Sequence, residues 1–230
     1  MNLLVWDLET VPDLEGFARA NGIMGKSNDE IRAALGDDFP KHIYHSIICI
    51  GALVAERGSN GWTLKAVGAP HIGERTEQRL IQSFVDKIDE IAPQMVTFNG
   101  CSFDLPVLRY RAMIHSVAAP GLSGAPYFHR FTDHAVDLCD VFSSYSPSGK
   151  VRLDQLSRIM NLPGKPDGID GSKVESYFSA GRIQEIADNC KTDVINTYRL
   201  WLRYELFRGK LTRSQFELSE QDVIRFTAGE

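Results

Sequence analysis

The sequence predicts an α/β protein with a mixed sheet. Apolar runs of strand length recur in the first half of the chain, and two of them flank a Gly-Ser-Asn-Gly turn. A strongly periodic helical segment separates this hairpin from the next short run, and the second half of the chain is mostly helical in pattern. A hairpin, a helix, a strand and then helices are typical of a sheet flanked by helices.

The strands are predicted from short apolar runs bounded by turn residues or acids. Asn2–Leu8 is the first run, and it ends at a pair of acidic residues. Ile47–Ala55 and Trp62–Val67 form the hairpin, and Met95–Phe98 is a further short strand. Val136–Phe142 is predicted to be either a short strand or the start of a helix, and the sequence leaves both open.

The helices are predicted from apolar residues at helical spacing. Glu74–Ala92 is the clearest helix, and Pro93 ends it. Phe103–Ile114 forms a second helix. The last long helix runs from Arg182 to about Phe207, with Gly209 as its natural stop.

The remaining segments are assigned from composition. Residues 10–40 are polar and rich in Gly and Asp, and they are predicted to form an insertion over one face of the sheet. Residues 120–126 are predicted to be a loop, and residues 210–230 are predicted to contain a polar C-terminal helix. We expect residues 1–230 to form a single domain.

Composition narrows the class of protein. The chain has 230 residues, of which 43% are hydrophobic, so it can bury a core that needs no disulfide. The start of the chain has no basic leader, and no apolar run is long enough to span a membrane, which favours a cytoplasmic protein. The cysteines lie far apart without a C-x-x-C pair and are predicted to be buried, reduced thiols: Cys49, Cys101, Cys139 and Cys190.

The net charge of −5 argues against a protein that coats nucleic acid through a broad basic surface. An enzyme of this composition that acts on nucleic acid would have to hold a few phosphates locally. Bound cations would then supply much of the positive charge.

Two Asp-x-Glu triplets occur near the start of the chain, and their surroundings distinguish them. Asp13 and Glu15 lie among polar residues with helical character, and they are predicted to be a solvated helix start. Asp7 and Glu9 end an apolar strand, where residues two apart point to the same face of the sheet. Two carboxylates directed together suit a divalent metal ion, although a strand that simply ends in solvent would carry the same residues.

Two further acids lie at positions where a metal ligand is possible. Asp104 stands where a short strand gives way to a helix, a place where an acid also serves as an ordinary partner of the helix terminus. Asp193 lies beside Val194 at the edge of the apolar stripe of the last long helix, so it tilts towards the interior. An unpaired acid there is costly, and a bound metal would remove the cost.

Together these segments resemble the DEDD superfamily of 3′–5′ exonucleases, and within it the stand-alone exonucleases related to the proofreading domain of family B DNA polymerases. The matching residues are Trp6-Asp7-Leu8-Glu9-Thr10, Asn99-Gly100-x-x-Phe103-Asp104-x-Pro106 and Cys190-x-x-Asp193-Val194, with supporting segments at Gly164–Gly168 and Gly171–Val174. The resemblance implies a ribonuclease H-like fold, in which a mixed sheet of about five strands is flanked by helices.

The resemblance also implies metal ligands. Asp7, Glu9 and Asp193 would hold one divalent cation, and Asp104 together with Asp7 would hold a second. Two such cations promote phosphodiester hydrolysis by activating a water and stabilising the leaving oxygen. A set of oxygen ligands suits Mg²⁺ or Mn²⁺ better than zinc.

Substrate contacts are implied in the same way. Thr10, through its backbone, and Asn99 would place the terminal nucleotide. Phe103 is a candidate for stacking on a base, although a Phe that opens an apolar helix more often belongs to the core.

The chain departs from this pattern at one position. Relatives of this type place a Tyr four residues before the last Asp, or a His five before it, and the residues here are Asn189 and Asp188. Asn189 stands one helical turn before Asp193 and faces the same site. An amide can orient a water but cannot accept its proton, and Asp188 is predicted to point away.

Two hypotheses about function follow. In the first, which we favour because all four acids remain, the chain is an exonuclease that releases nucleotides from the 3′ end of single-stranded DNA or RNA. In the second, it is a catalytically weak or inactive nucleic-acid-binding protein of the same fold. A phosphatase is disfavoured, because the Asp-x-Asp-x-Thr pattern is missing at the first strand. The sequence does not distinguish DNA from RNA, and it identifies no polymerase or repair partner.

Other polar residues receive ordinary interpretations. His42 and His45 are predicted to be loop residues rather than metal ligands, and Asp137 is predicted to cap backbone amides. The lysines near the motifs are either phosphate contacts or ordinary surface: Lys165, Lys173 and Lys191.

Overall fold

The computed structural model describes residues 1–163 and 171–229. The strands in these residues are β1 (Asn2–Pro12), β2 (His45–Gly58), β3 (Gly61–Gly68), β4 (Gln94–Thr97) and β5 (Ala135–Asp137). They form one sheet in the order β3-β2-β1-β4-β5, in which β1, β2 and β3 are antiparallel neighbours and β4 and β5 run parallel to β1. The predicted α/β class with a mixed sheet is confirmed.

Ten α-helices flank this sheet in the described part of the chain. They are α1 (Leu14–Ala20), α2 (Asn28–Leu35), α3 (Glu77–Ile91), α4 (Asp104–Ile114), α5 (Pro120–Gly124), α6 (Leu138–Phe142), α7 (Leu153–Ile159), α8 (Val174–Ser179), α9 (Ile183–Phe207) and α10 (Arg213–Ala228). None of the described helices is long and apolar enough to cross a membrane.

The central strand β1 separates two layers of core. Leu4, Trp6 and Leu8 lie on one face and pack with buried residues of α3 and α4. Leu3 and Val5 lie on the other face and pack with buried residues of α9 and α10. This alternation follows from the two-residue period of a strand, and it decides which helix each later residue of β1 faces.

The strand β1 is longer than predicted. The predicted strand stops at Leu8, whereas β1 continues to Pro12 and stays paired with β2, with a register shift between Glu9 and Thr10. On its other edge, pairing with β4 ends at Val5 opposite Val96. The acidic residues therefore lie in mid-strand, beyond the carboxyl end of β4, and that edge of β1 is open to other partners.

Two further segments differ in detail from the prediction. The loop predicted for residues 120–126 is wrong, because Pro120–Gly124 forms α5; Pro120 fixes a helical φ at its first turn, and Leu122 is buried. Val136–Phe142 turns out to contain both alternatives, since the end of β5 leads directly into α6.

The segment between β1 and β2 contains α1, α2 and a 3-10 turn at His42–Tyr44. Asp13 caps α1 by accepting a hydrogen bond from the Gly16 N–H, and its side chain also pairs with the buried Arg111. Asp13 is therefore not the solvated residue that the sequence predicts, whereas Glu15, with 72% of its side chain exposed, is.

The C-terminal helix α10 protects the edge of the sheet. Thr212 caps its N-terminus: the Thr212 side chain accepts a hydrogen bond from the Gln215 N–H, and the Gln215 side chain accepts one from the Thr212 N–H. The Ser219 hydroxyl and the Asp222 carboxylate accept hydrogen bonds from the backbone N–H groups of Trp62 and Leu64 in β3. These contacts satisfy donors that an open edge strand would leave unpaired.

Candidate active site

The first two predicted ligands lie on the face of β1 that α9 covers. Asp7 and Glu9 continue the row of Leu3 and Val5, so their side chains point to the same side of the sheet. Glu9 is 8% exposed and Asp7 is half-buried. The position of both acids thus follows from the same alternation that builds the core.

A glycine in β2 allows α9 to approach these acids. Gly51 pairs with Asp7, and a Cβ atom built on Gly51 would lie 2.7 Å from the Cys190 Sγ and 3.0 Å from a methyl carbon of Val194. The same Cβ would lie 3.2 Å from the Cys190 carbonyl oxygen, so the backbone of α9 approaches this strand as closely as a glycine allows. Gly51 therefore sets the distance between the helix that carries Asp193 and the strand that carries Asp7.

Asp193 points towards Glu9, and Asn189 connects the two. The Asn189 Nδ2 donates to Glu9 Oε1 at 3.4 Å and to Asp193 Oδ2 at 3.3 Å, and all three side chains are buried. One helical turn separates Asn189 from Asp193, as the sequence predicts. The amide holds the two carboxylates, while its Oδ1 is buried and has no hydrogen-bond partner among the described residues.

Asp104 reaches the site from α4, on the other side of the sheet. Its Oδ1 accepts a hydrogen bond from the Leu8 N–H at 2.9 Å, on the edge of β1 that β4 no longer covers. Asp104 is 4% exposed, and burial raises the pKa of its carboxyl to about 7, against the opposing effect of the Leu8 N–H. A nearby cation favours the ionised form of such a carboxyl.

The turn before α4 fixes Asn99. Asn99 has a left-handed backbone (φ 72°), and a Cβ on Gly100 would lie 2.6 Å from Thr97, so the turn needs glycine there. Asp137, at the end of β5, accepts hydrogen bonds from the N–H groups of Asn99 and Cys101, and it also caps α6. The prediction that Asp137 caps backbone amides is confirmed.

One side of the site is aromatic. Phe39, His42 and Phe103, which we call the aromatic wall, have ring centroids 5.4 Å (Phe39–Phe103) and 5.7 Å (His42–Phe103) apart. Phe103 is half-buried rather than fully in the core, and Phe39 is 73% exposed. Flat rings that are at least partly exposed in a cleft are suited to stacking against a base.

His45 supports this wall from behind. It is buried at the start of β2 rather than in a loop, which corrects the prediction for this histidine. Its Nε2 donates to the Pro40 carbonyl oxygen at 3.1 Å, and its Nδ1 accepts from the Thr10 hydroxyl at 3.0 Å. Burial lowers the pKa of His45, which matches a neutral ring with these two partners.

Every predicted site residue except Asn189 lines one cleft of about 470 Å³: Asp7, Glu9, Thr10, Asn99, Phe103, Asp104 and Asp193. Gly171 and Val174, from the supporting segment of the resemblance, also line it. The other supporting segment, Gly164–Gly168, and with it Lys165, lies outside the described residues. Asn189 lies behind the cleft and touches it through Glu9 and Asp193.

The donor set of this cleft fits hard divalent cations. Four carboxylates line it, and oxygen ligands are those that Mg²⁺ and Mn²⁺ prefer. One oxygen each of Asp7 and Glu9 lies with the Cys190 Sγ in a group of ligand atoms within 4.8 Å of one another. A hydrogen bond with Cys49 and burial raise the pKa of Cys190 well above its ordinary value, so it is a neutral thiol beside the carboxylates and a poor ligand for such ions.

Asp188, which is predicted to point away from the site, is exposed and accepts a hydrogen bond from Gln184. Lys191, for which the sequence leaves a phosphate contact and ordinary surface open, is exposed and does not line the cleft. The four cysteines are free thiols; three of them are buried and Cys101 is half-buried.

The sequence interpretation missed several residues around the cleft. Phe39 and His42 lie in the polar segment before β2, where no periodicity marks them, and Gly51 lies inside an apolar strand. Lys150 lies in a segment without a motif, yet its Nζ donates to Asn99 Oδ1 at 2.7 Å. An isolated Gly within a strand is the one signal that sequence reasoning could have used, since it indicates close approach of another backbone.

Comparisons with known proteins identify a family. Residues 37–229 match the model of a family described as predicted 3′–5′ exonucleases related to the exonuclease domain of PolB. The catalytic chain of DNA polymerase epsilon is 29% identical over 140 residues in Aspergillus fumigatus and 27% identical over 144 residues in Saccharomyces cerevisiae. Each match covers 57% of this chain and only 6% of the polymerase chain.

A solved structure shares the fold. The family B DNA polymerase of the archaeon Pyrobaculum calidifontis superposes with a TM-score of 0.55 at 18% identity, over 90% of this chain and 24% of the polymerase. The fold is thus ribonuclease H-like, as the resemblance in the sequence implies.

Proposed function

The chain belongs to the family of predicted 3′–5′ exonucleases related to the exonuclease domain of PolB, and from that premise we propose that it removes nucleotides from the 3′ end of single-stranded nucleic acid with two divalent cations, Mg²⁺ or Mn²⁺. One observation carries the proposal. Four carboxylates from three distant segments of the chain line the same cleft: Asp7, Glu9, Asp104 and Asp193.

The carboxylates divide into two sets around Asp7. In the proposal, Asp7, Glu9 and Asp193 hold one cation and Asp7 with Asp104 holds the other. When bound, such cations lower the pKa of a water and stabilise charge on the leaving 3′ oxygen. The hydrogen bonds from Asn189 to Glu9 and Asp193 keep the first set together. The bond from the Leu8 N–H fixes Asp104.

The rest of the cleft would position the terminal nucleotide. Its base would stack on the aromatic wall, which lies in the same cleft as the carboxylates. The Thr10 backbone follows the register shift in β1, next to Glu9, and would place the terminal sugar. Asn99 also lines the cleft and would contact the strand there. Aromatic stacking of this kind is typical of sites for single strands, whose bases are free to leave their neighbours and stack on protein rings, and it therefore supports a single-stranded end.

Asn189 supports a second candidate function. Without a Tyr or His at this position, the described part of α9 offers no general base for the attacking water, and such a base contributes about 10²- to 10⁴-fold. The rival is a protein that binds a 3′ end and cuts it slowly or not at all. We favour the enzyme, because the carboxylate set is complete and electrostatic stabilisation is usually the larger effect.

A direct assay separates the two candidates. The purified chain is incubated with Mn²⁺ and a single-stranded oligonucleotide labelled at its 5′ end. A ladder of products shortened from the 3′ end is expected from the enzyme. An intact band together with retained binding would establish the rival.

Asp7→Asn is the matched variant for this assay. Asp7 belongs to both proposed ligand sets, so its loss is expected to lower the cleavage rate by about 10³-fold. Asp188→Asn changes the same chemical group on the exposed face of α9 and is expected to cleave like the wild type. Equal rates for the Asp7 variant and the wild type would refute the assignment of the site.

A further inference from the structure

A second cavity adjoins the cleft and differs from it in charge. This basic groove has a volume of about 640 Å³ and carries Lys150, Arg152 and Arg158 on its lining, against the single carboxylate of Asp154. Phe98, Asn99 and Gly171 line both the groove and the cleft, so the two are continuous.

The division of charge between the two cavities is sharp. Among the described residues, the lining of the cleft includes four carboxylates and no Lys or Arg. The groove concentrates positive charge in a chain whose net charge is −5. A cavity of this size and charge is suited to a polyanion rather than to a second metal site.

Lys150 is held at the boundary of the two cavities. Its Nζ donates to Asn99 Oδ1 at 2.7 Å and pairs with Asp140 at 3.2 Å, and Asp140 is 1% exposed and also pairs with Arg130. These contacts fix the ammonium group in place before any ligand arrives, and a fixed charge loses less entropy on binding.

The groove also offers apolar surface. Phe98, Val151 and Leu153 line it together with the cations. Binding sites for single-stranded nucleic acid combine a positive track for the backbone with apolar or aromatic surface for the bases, and they tolerate any sequence. The groove has both parts.

We propose that the basic groove binds the phosphodiester backbone of the single strand on the 5′ side of the scissile bond, which leaves the cleft past Asn99 and Lys150 and runs along Arg152 and Arg158. This inference rests on the proposed function, since it takes the 3′ end to lie in the cleft. It assigns two exposed arginines to substrate binding and predicts that affinity grows with strand length until the groove is filled.

The test uses a double variant with a matched control. Arg152→Glu with Arg158→Glu reverses two groove charges on exposed side chains, and the ion pair that Arg158 makes among the described residues is with Asp154 of its own helix. Arg213→Glu with Arg225→Glu makes the same change of charge on α10, where Arg213 likewise pairs within its helix with Glu217.

Binding is measured by fluorescence anisotropy of 5′-labelled oligothymidylates of increasing length, with Ca²⁺ as the cation. The groove variant is expected to bind the longest strand about tenfold more weakly, with a smaller loss for the shortest. Its salt dependence, the slope of log K against log salt, should fall by about 1.4, since two phosphate contacts are removed from a single strand. The α10 variant should match the wild type in both measurements.

Each outcome bears on one proposal only. Equal losses in both double variants, or a loss independent of strand length, would overturn the groove assignment. The same oligonucleotides are then incubated with Mn²⁺ and the wild type. Groove-dependent binding without any cleavage would refute the exonuclease and leave a groove that binds a strand. Cleavage by the wild type, with unchanged binding in the groove variant, would support the exonuclease and overturn the groove assignment.

Discussion

The two sides of the cleft are built in different ways. The carboxylate side comes from β1, α4 and α9, and its acids are held by the backbone N–H of Leu8 and the amide of Asn189. The aromatic wall comes partly from the segment before β2, and its outermost ring, Phe39, is 73% exposed. Strands and helices position all the carboxylates, whereas a surface segment positions Phe39 and His42 of the aromatic wall.

The difference indicates that the carboxylate side binds the metal ions and the aromatic wall binds the base. Metal ligands must lie within a few tenths of an ångström of the right position, which rigid elements provide. Stacking on a base tolerates larger displacements and benefits from an exposed ring. We therefore expect changes on the carboxylate side to lower turnover, and changes on the aromatic wall to weaken binding of the terminal nucleotide.

The largest effect outside the ligands is expected at Gly51. In Gly51→Ala the new methyl would lie 2.7 Å from the Cys190 Sγ and 3.2 Å from the Cys190 carbonyl oxygen in the backbone of α9, so we expect α9 to move away from β1 and to take Asp193 with it. A displacement of about 1 Å at a reacting centre can lower the rate by about 10²-fold. The variant should also lose about 1–3 kcal/mol of unfolding free energy, measured in urea.

Gly58→Ala is the control for this change. Gly58 lies at the end of the same strand, and a Cβ there meets nothing within 4 Å. It should leave both the cleavage rate and the unfolding free energy close to those of the wild type. A wild-type rate in the Gly51 variant would show that the approach of α9 does not set the geometry of the carboxylates.

The carboxylate side, unlike the aromatic wall, could largely be predicted from the sequence. The acids were predicted because their types and spacing are visible: Asp7 and Glu9 share a face at period two, and Asp193 lies at the edge of an apolar stripe. The strands and long helices followed from periodicity for the same reason. The longer reach of β1 was missed because Thr10–Pro12 depend on pairing with β2, which is a tertiary contact.

The aromatic wall could not be predicted in this way. Phe39 and His42 have no periodic neighbours, and they reach the cleft only because β2 begins at His45 and returns the chain to β1. The partners of Asn99 were hidden likewise, since Lys150 is far away in sequence. Recognition residues on surface segments are fixed by the fold rather than by a local pattern.

Asn189→Ala tests how the carboxylate side is held together. Without the amide, Glu9 and Asp193 lose their common donor, and we expect about a tenfold weaker apparent affinity for Mn²⁺ together with a lower cleavage rate. Titration of the rate with Mn²⁺ and calorimetric Mn²⁺ binding measure the two effects. Asp188→Ala, one residue earlier on the exposed face, is the control.

A positioning role and a role in orienting water give different results for this variant. If Asn189 positions the carboxylates, saturating Mn²⁺ restores much of the rate. If it orients the attacking water through its Oδ1, which has no partner among the described residues, the rate stays low at saturating Mn²⁺ while the metal affinity is unchanged.

The smallest effect is expected on the aromatic wall. Phe39→Ala removes the exposed ring but leaves Phe103 and the carboxylates in place, so KM for a single strand should rise by roughly fivefold with little change in kcat, the lower end of what one stacked base contributes. Phe207→Ala removes a ring that is 85% exposed on α9, outside the lining of the cleft, and should change neither constant.

A strand with an abasic 3′ terminal nucleotide sharpens this result, because it removes the base instead of the ring. If Phe39 stacks on the terminal base, the wild type and the Phe39 variant should have the same KM for the abasic strand, so that the two losses do not add. Additive losses would mean that Phe39 does not stack on the terminal base. Phe103 and His42 would then be the residues of the aromatic wall left to recognise that base.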